Sequence, residues 1–244
     1  MNFTSKIPNT LTLLNLFSGC MAMLHVSEQQ YPMAFAFVCL GIFFDFFDGF
    51  FARLFNVQSA LGLQLDSLAD MVTSGLVPGF VMYQLLANTQ TDGGFLLWNT
   101  FEFFPLLPLL GFVITLASCY RLGKFNIDTR QTDSFIGLPT PANALFILSL
   151  PLLLEKTDFE ILATLLTHPY FLLGVTFLSA FLLNAEIPLF SLKFKSASWE
   201  DSKYPFLLLA TSLVLLVFFQ WAAIPLIVLI YVVLSLIQNR FSNS

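Results

Sequence analysis

Apolar residues occupy this chain in long blocks separated by short polar breaks. A membrane-spanning helix needs about 17–25 mostly apolar residues. Eight blocks fit, near 8–27, 32–54, 63–87, 103–122, 138–154, 169–187, 204–220 and 222–238. The predicted fold is all-α, a polytopic transmembrane helix bundle of about eight spans. The fifth block and the last two are short. Pro225 lies early in the last block, where a missing N–H does least harm. Almost nothing separates the seventh block from the eighth, so they should form a tight helical hairpin. No linker, low-complexity segment or short repeat interrupts the series, and residues 1–244 read as one integral membrane domain.

Composition agrees. Of the 244 residues, 57% are hydrophobic and 10% are charged, against about 25% charged in soluble domains. Thirty Phe residues push the same way. So much apolar surface exceeds what one soluble core can bury. The net charge of −5 says little, and no basic stretch suggests nucleic-acid binding. Charge placement is more informative, because Lys and Arg favour cytoplasmic connections. With Lys6 inside, the inside connections hold Arg53, Arg121, Lys124, Arg130, Lys193, Lys195, Lys203 and Arg240. Only Lys156 falls outside. That asymmetry favours eight spans with both termini cytoplasmic.

The three cysteines, Cys20, Cys39 and Cys119, lie apart in apolar stretches. They form neither a disulfide framework nor a zinc site and read as small packing residues. The N-terminal apolar run has no small-residue cleavage site and is interrupted by Asn9, Thr12 and Asn15, so it reads as a mature helix. His25 and His168 read as solvated loop residues. Trp98, Trp199 and Trp221 sit near span ends, as interface anchors do.

The second and third blocks break the apolar rule. They read Asp45-Phe-Phe-Asp48-Gly49-Phe-Phe-Ala52-Arg53, then eight residues, then Gly62-x-x-x-Asp66-x-x-x-Asp70. A charge at the membrane centre costs about 2.5–3.5 kcal/mol on insertion scales. On a helix Asp45, Asp48, Gly49 and Ala52 form one stripe, and Gly62, Asp66 and Asp70 a second. A short turn would let the two helices run antiparallel with the stripes facing. A salt-bridge network fails on count, since four Asp meet one nearby Arg. Oxygen-only ligands suit Mg²⁺, Mn²⁺ or Ca²⁺. Two such ions are suited to phosphoryl-type displacement. Gly49, Ala52 and Gly62 would let a bulky ligand lie against the helix backbones. The spacing alone also suits a cation or proton transporter.

The pattern Asp-Gly-x2-Ala-Arg-x8-Gly-x3-Asp-x3-Asp, with a further Asp three residues upstream, resembles the signature of the CDP-alcohol phosphatidyltransferases. Every signature position is filled. The resemblance implies a six-helix core, here about 1–195, with 196–244 as an added hairpin. It implies that Asp45, Asp48, Asp66 and Asp70 bind divalent metal, with Asp70 also the general base. It implies that Gly49, Ala52 and Gly62 pack against the cytidine nucleotide and that Arg53 lies near the phosphates. Pro8, Asn9 and Thr12 match residues that approach the nucleotide. The implied donor is CDP-diacylglycerol, the cofactor Mg²⁺ or Mn²⁺ as two ions, and the assembly a homodimer. The active site would face the cytoplasm from the inner membrane.

Three further stretches are similar to the integral-membrane phosphatidylserine synthases of this family: Ile7 to Gly19, Leu65 to Pro78, and Arg121-Leu-Gly-Lys124-Phe-Asn126 with Gly137 to Ala142. They imply L-serine as acceptor. Arg121 has the planar fork to clamp its carboxylate, with Lys124 and Asn126 beside it. Topology or phosphate attraction would also account for Arg121 and Lys124. A phosphorylated acceptor, glycerol phosphate or inositol phosphate, should want a denser basic pocket; choline remains a further alternative. The sixth span departs from the pattern: Asn184 stands where a Ser is expected, and Glu186 follows, suited to contact an ammonium.

Overall fold

The computed structural model describes residues 6–89, 106–128, 134–157, 159–190 and 199–242. Trp98, Arg130, Lys193 and Lys195 lie outside them. Helix α1 spans Lys6–Ser27 and α2 spans Tyr31–Leu54. A long third segment follows as α3 (Ala60–Asp70), a π-helical turn (Met71–Leu76) and α4 (Val77–Ala87). After α5 (Leu106–Leu109) and a 3₁₀ turn comes α6 (Val113–Ile127). Then come strand β1 (Ser134–Ile136), α7 (Thr140–Lys156), α8 (Glu160–Thr167), α9 (Pro169–Asn184) and β2 (Pro188–Phe190). Helices α10 (Trp199–Phe219) and α11 (Ala223–Ser242) close the chain around a 3₁₀ turn.

The turns follow from local chemistry. Helix α1 ends with Gln29 in the left-handed region, Gln29 N–H donating to Val26 O and Gln30 N–H to His25 O. Helix α2 ends the same way: Asn56 has φ 52°, Asn56 N–H donates to Arg53 O and Val57 N–H to Ala52 O. Both are Schellman stops, which satisfy carbonyls a helix end leaves free. Ser59 then starts α3 by accepting from Gly62 N–H at 3.0 Å. So α2 turns into α3 within five residues, Phe55 to Ser59, and the motif's two halves meet at one end of the bundle.

The surface is greasy and the interior carries polar groups. Phe46 and Phe218 are 63% and 75% exposed, whereas Asn15, Thr73, Ser118 and Asn143 are fully buried. That inversion fits a bilayer, whose tails give helices no hydrophobic reason to associate. Close packing of small residues holds them instead. Gly75 and Gly79, four apart, meet Ser118 and Thr115 of α6. Gly19 and Gly41 meet Thr73 of the π turn. Thr115 Oγ1 donates to Gly75 O at 3.0 Å, and Ser179 bonds Asn143 between α9 and α7.

Four described stretches are long and apolar enough to cross a membrane: Lys6–Ser27, Tyr31–Leu54, Leu106–Ile127 and Tyr204–Gln238. The bent pair α8–α9, at 69°, makes up to five. The eight predicted blocks are all helical, but their boundaries differ. The third is divided by the π turn. The seventh and eighth, α10 and α11, meet at a break at Gln220, φ 46°, and pack against each other. Helix α8 and the β1–β2 ladder were not predicted; both are short and occupy what reads as loop. The fourth block extends to Ile127, so Arg121, Lys124 and Asn126 are helical rather than in a connection.

Other expectations also change. The three cysteines are exposed on the outer face, where lipid accepts a thiol as well as a core does. His25 belongs to the last turn of α1, where it stacks on Phe37 at 5.3 Å and bonds Gln30 at 2.8 Å. Trp221, in the turn between α10 and α11, is partly buried and packs edge-on against Phe35 at 5.7 Å.

A Cβ at Gly111 would stand 2.5 Å from Tyr83 N. We predict that Gly111→Val destabilises the fold by about 1–3 kcal/mol or more, as overpacking does. Gly174→Ala, with nothing within 4 Å, should change stability by no more than about 1 kcal/mol. Thermal unfolding in detergent measures both, and equal effects would contradict the packing account.

Candidate active site

One end of the bundle collects the start of α1, the end of α2 and the start of α3. Helix α1 packs against both others, whereas the backbones of α2 and α3 stay apart. A cavity of about 480 Å³ opens between them. Pro8, Asn9, Thr12, Gly49, Ala52, Arg53 and Gly62 all line it, together with Asp48 and Asp66. The stripes therefore converge, but α1 closes the cleft rather than a direct α2–α3 seam.

Of the four aspartates, Asp48 and Asp66 reach this cavity. One oxygen each from Asp45, Asp48 and Asp66 lie within 4.8 Å of one another. Asp70 stands outside that group of three and within electrostatic reach of all of its members. Thr12 Oγ1 donates to Asp48 Oδ2 at 2.5 Å, and Asn15 Nδ2 donates to Asp70 Oδ1 at 3.1 Å. These bonds hold one oxygen of each carboxylate from α1. Like charges so close in a low-dielectric setting repel strongly. No Lys or Arg is ion-paired to them among the described residues. Three hard oxygen donors with surplus negative charge fit a divalent cation such as Mg²⁺ or Mn²⁺.

The cavity walls keep backbone accessible. A Cβ at Gly62 would come within 3.2 Å of Ser59 Oγ and 3.4 Å of Asn9 Oδ1. The Arg53 guanidinium lies over Gly49, 3.4 Å from where a Cβ would be. Val57, Gln58, Ser59, Ala60 and Leu63 complete the lining. Sequence reasoning missed these, since a turn has no periodicity to follow. It also missed Asn15, although a signal was present: Pro8, Thr12 and Asn15 sit at i, i+4 and i+7, one face of α1, and all three are buried.

The other predicted residues lie to one side. Asn126 Nδ2 donates to Ser67 Oγ at 2.9 Å, which ties α6 to the residue after Asp66. Arg121 is 7% exposed and within electrostatic reach of Asp70. Its Nε is buried without a partner. Lys124 pairs with Glu186 at 3.3 Å, so the ammonium that Glu186 contacts here is this chain's own. Asn184 Nδ2 donates to Ala117 O at 3.0 Å, while its Oδ1 is buried and unpaired. Arg121, Lys124, Asn184, Ile136 and Leu183 surround a small separate recess.

Residues 5–181 match the sequence model of the CDP-alcohol phosphatidyltransferases. The chain belongs to that family. The phosphatidyltransferase is 31% identical over 211 residues to the CDP-diacylglycerol–serine O-phosphatidyltransferase of Helicobacter pylori, covering 85% of this chain and 80% of that protein. It is 35% identical over 135 residues to the enzyme of that name from Bacillus subtilis, covering 55% and 69% of the two chains. For the enzyme of that name from Saccharomyces cerevisiae the identity is 33% over 153 residues, covering 60% and 53%. The protein is therefore an enzyme of phosphatidyl transfer, which displaces the transporter alternative.

Removing the Asn15 amide frees Asp70 to turn. We predict that Asn15→Ala lowers kcat about ten-fold, equivalent to about 1.4 kcal/mol in the barrier. Steady-state CMP release measures it, and an unchanged kcat would show that Asp70 needs no such orientation.

Proposed function

We propose that this phosphatidyltransferase moves the phosphatidyl group of CDP-diacylglycerol to L-serine, giving phosphatidylserine and CMP. The carrying observation is the buried Arg121 guanidinium, its Nε unpartnered, in a recess with Lys124 and Asn184. A buried cation in a membrane bundle wants an anion, and the carboxylate of an amino acid supplies one. The relatives' names point to the same acceptor.

The nucleotide half of the donor occupies the cavity. Pro8, Asn9, Gly49, Ala52 and Gly62 let cytidine and ribose approach backbone, and Thr12 steadies Asp48. Arg53 draws the phosphates to the cavity mouth. Asp45, Asp48, Asp66 and Asp70 would hold divalent metal, read here as two ions, and such ions would supply neutralisation of the pyrophosphate and leaving-phosphate charge. Arg121, with Lys124 and Asn126 nearby, orients the serine carboxylate. Asp70, its Oδ1 fixed by Asn15, accepts the serine hydroxyl proton on its other oxygen. The serine oxygen forms its bond to the diacylglycerol-bearing phosphorus as the bond from that phosphorus to the CMP oxygen breaks. The electron pair leaves with CMP.

This reading takes the eight-span topology with both termini cytoplasmic, in the inner membrane, and a second copy of the chain as partner. Residues 1–195 are the core and 196–244 the hairpin. Support comes from the ends at which contacts fall. Asn126 meets Ser67 and Lys124 meets Glu186 at the active-site end. Tyr31, Asn88, Glu155 and Thr167 share a recess at the other. The active-site end carries Arg53, Arg121 and Lys124.

Membranes or purified enzyme given CDP-diacylglycerol and Mn²⁺ or Mg²⁺ should release CMP only when L-serine is present. Release with glycerol phosphate, inositol phosphate or choline, and none with serine, would overturn the acceptor. Asp70→Asn should lower kcat by about 10²–10⁴-fold, the usual scale of a general base. Full activity in a folded Asp70→Asn enzyme would remove Asp70 from that role.

A further inference from the structure

We infer that a recess at the far end of the bundle from the carboxylates binds the primary ammonium of a phospholipid headgroup. The inference stands whichever alcohol the enzyme uses as acceptor.

The recess has a volume of about 250 Å³. It gathers Gln29 after α1, Tyr31 at the start of α2, Asn88 after α4, Glu155 near the end of α7 and Thr167 at the end of α8. Helix α1 runs from Pro8 in the nucleotide cavity to Gln29 here. At about 1.5 Å per residue that separates the two sites by about 30 Å.

The lining is rich in acceptors. Among the described residues Glu155 has no ion-pair partner, and no Lys or Arg lines the recess. Thr89 Oγ1 donates to Leu86 O at 2.8 Å, and Thr167 Oγ1 donates to Ala163 O at 2.9 Å. Both hydroxyl protons are thus committed to backbone, and the lone pairs remain. Tyr31 lines the same recess, is only 8% exposed, and has a buried phenol oxygen without a hydrogen-bond partner. Buried polar atoms in native structures find partners, and the recess is where this one finds its own.

These oxygens suit a primary ammonium, which brings three N–H donors and a charge that Glu155 balances. A hard metal ion would want several carboxylates, and Glu155 is the only one among the described lining residues. A quaternary ammonium would want an aromatic cage, and Tyr31 is the only aromatic ring there. A headgroup carboxylate would be repelled by Glu155. Leu85, Leu154 and Leu166 supply apolar wall for a methylene stem.

The setting favours a lipid over a free amine. Helix α8 bends away from α9 by 69° and exposes Ile161 and Leu165, with Phe159 exposed just before it. A helix turned from the spanning direction with apolar side chains outward fits a membrane surface. Leu166 and Thr167 of that helix line the recess, so it opens at headgroup level with apolar surface beside it.

Purified full-length protein in dodecyl maltoside is titrated with dioctanoyl phosphatidylethanolamine or dioctanoyl phosphatidylcholine, and bound lipid is counted by native mass spectrometry. The two lipids differ only in the N–H donors. The ethanolamine lipid should bind about five-fold tighter or more, the scale of a charged hydrogen bond. Glu155→Gln and Tyr31→Phe should each bring the two lipids to within about two-fold of one another. Free ethanolamine at the same concentration should not displace the lipid. Equal affinities in wild type overturn the inference, and so does a full preference retained in either folded variant. Displacement by free ethanolamine also overturns it, since a free amine then suffices. Thermal unfolding checks each variant. Glu155 is exposed, so Glu155→Gln carries the test if Tyr31→Phe does not fold.

Discussion

Several carboxylates held together inside an apolar bundle dominate this molecule. Each would be costly alone, and together they repel. Asp45, Asp48 and Asp66 nevertheless present oxygens within 4.8 Å of one another. The fold accepts this by surrounding them with donors on α1 and by leaving a cavity on one side. Thr12 and Asn15 each hold one carboxylate oxygen, and the splayed ends of α2 and α3 leave space where a close helix seam would leave none. The remaining negative charge is what a divalent cation would need, and the cation in turn would attract a pyrophosphate-bearing donor.

The rest of the bundle keeps this arrangement rigid. Small residues let helices approach closely where lipid offers no hydrophobic drive. Thr73 packs on Gly19 and Gly41 and donates to Asn15 O at 3.1 Å. That links the π turn after Asp70 to the residue that orients Asp70. A π turn is often found at functional sites because it displaces one residue's worth of helix face. Here it follows the motif's last aspartate directly. Elsewhere strands β1 and β2 pair as a three-residue ladder, and Leu208 and Tyr231 of the last two helices pack with Leu138 and Leu189 against it.

Much of this was legible in the sequence because it depends on helical spacing. The stripes from Asp45 to Ala52 and from Gly62 to Asp70 needed only the 3.6-residue period, and the cavity gathers Pro8, Asn9 and Thr12 where the resemblance put them. What was not legible depends on contacts between distant segments. Asn126 reaches Ser67, Lys124 is paired by Glu186, and Gly137, φ 76°, turns a corner where a Cβ would meet Leu183 O. Periodicity also mistook surface for core. Cys20, Cys39 and Cys119 look like packing residues, but in a bilayer the outer face is apolar too, so hydrophobicity does not say which side of a helix is inside.

The central claim is that the carboxylate cluster is a divalent cation site shared with the CDP moiety. Mn²⁺ binding to the purified protein, followed by electron paramagnetic resonance with and without CDP, tests it most directly. The account predicts bound Mn²⁺ in the wild type, a changed spectrum when CDP is added, and loss of binding in folded Asp66→Asn. Wild-type protein that is folded and active yet binds no Mn²⁺, or Asp66→Asn that binds it unchanged, would contradict it.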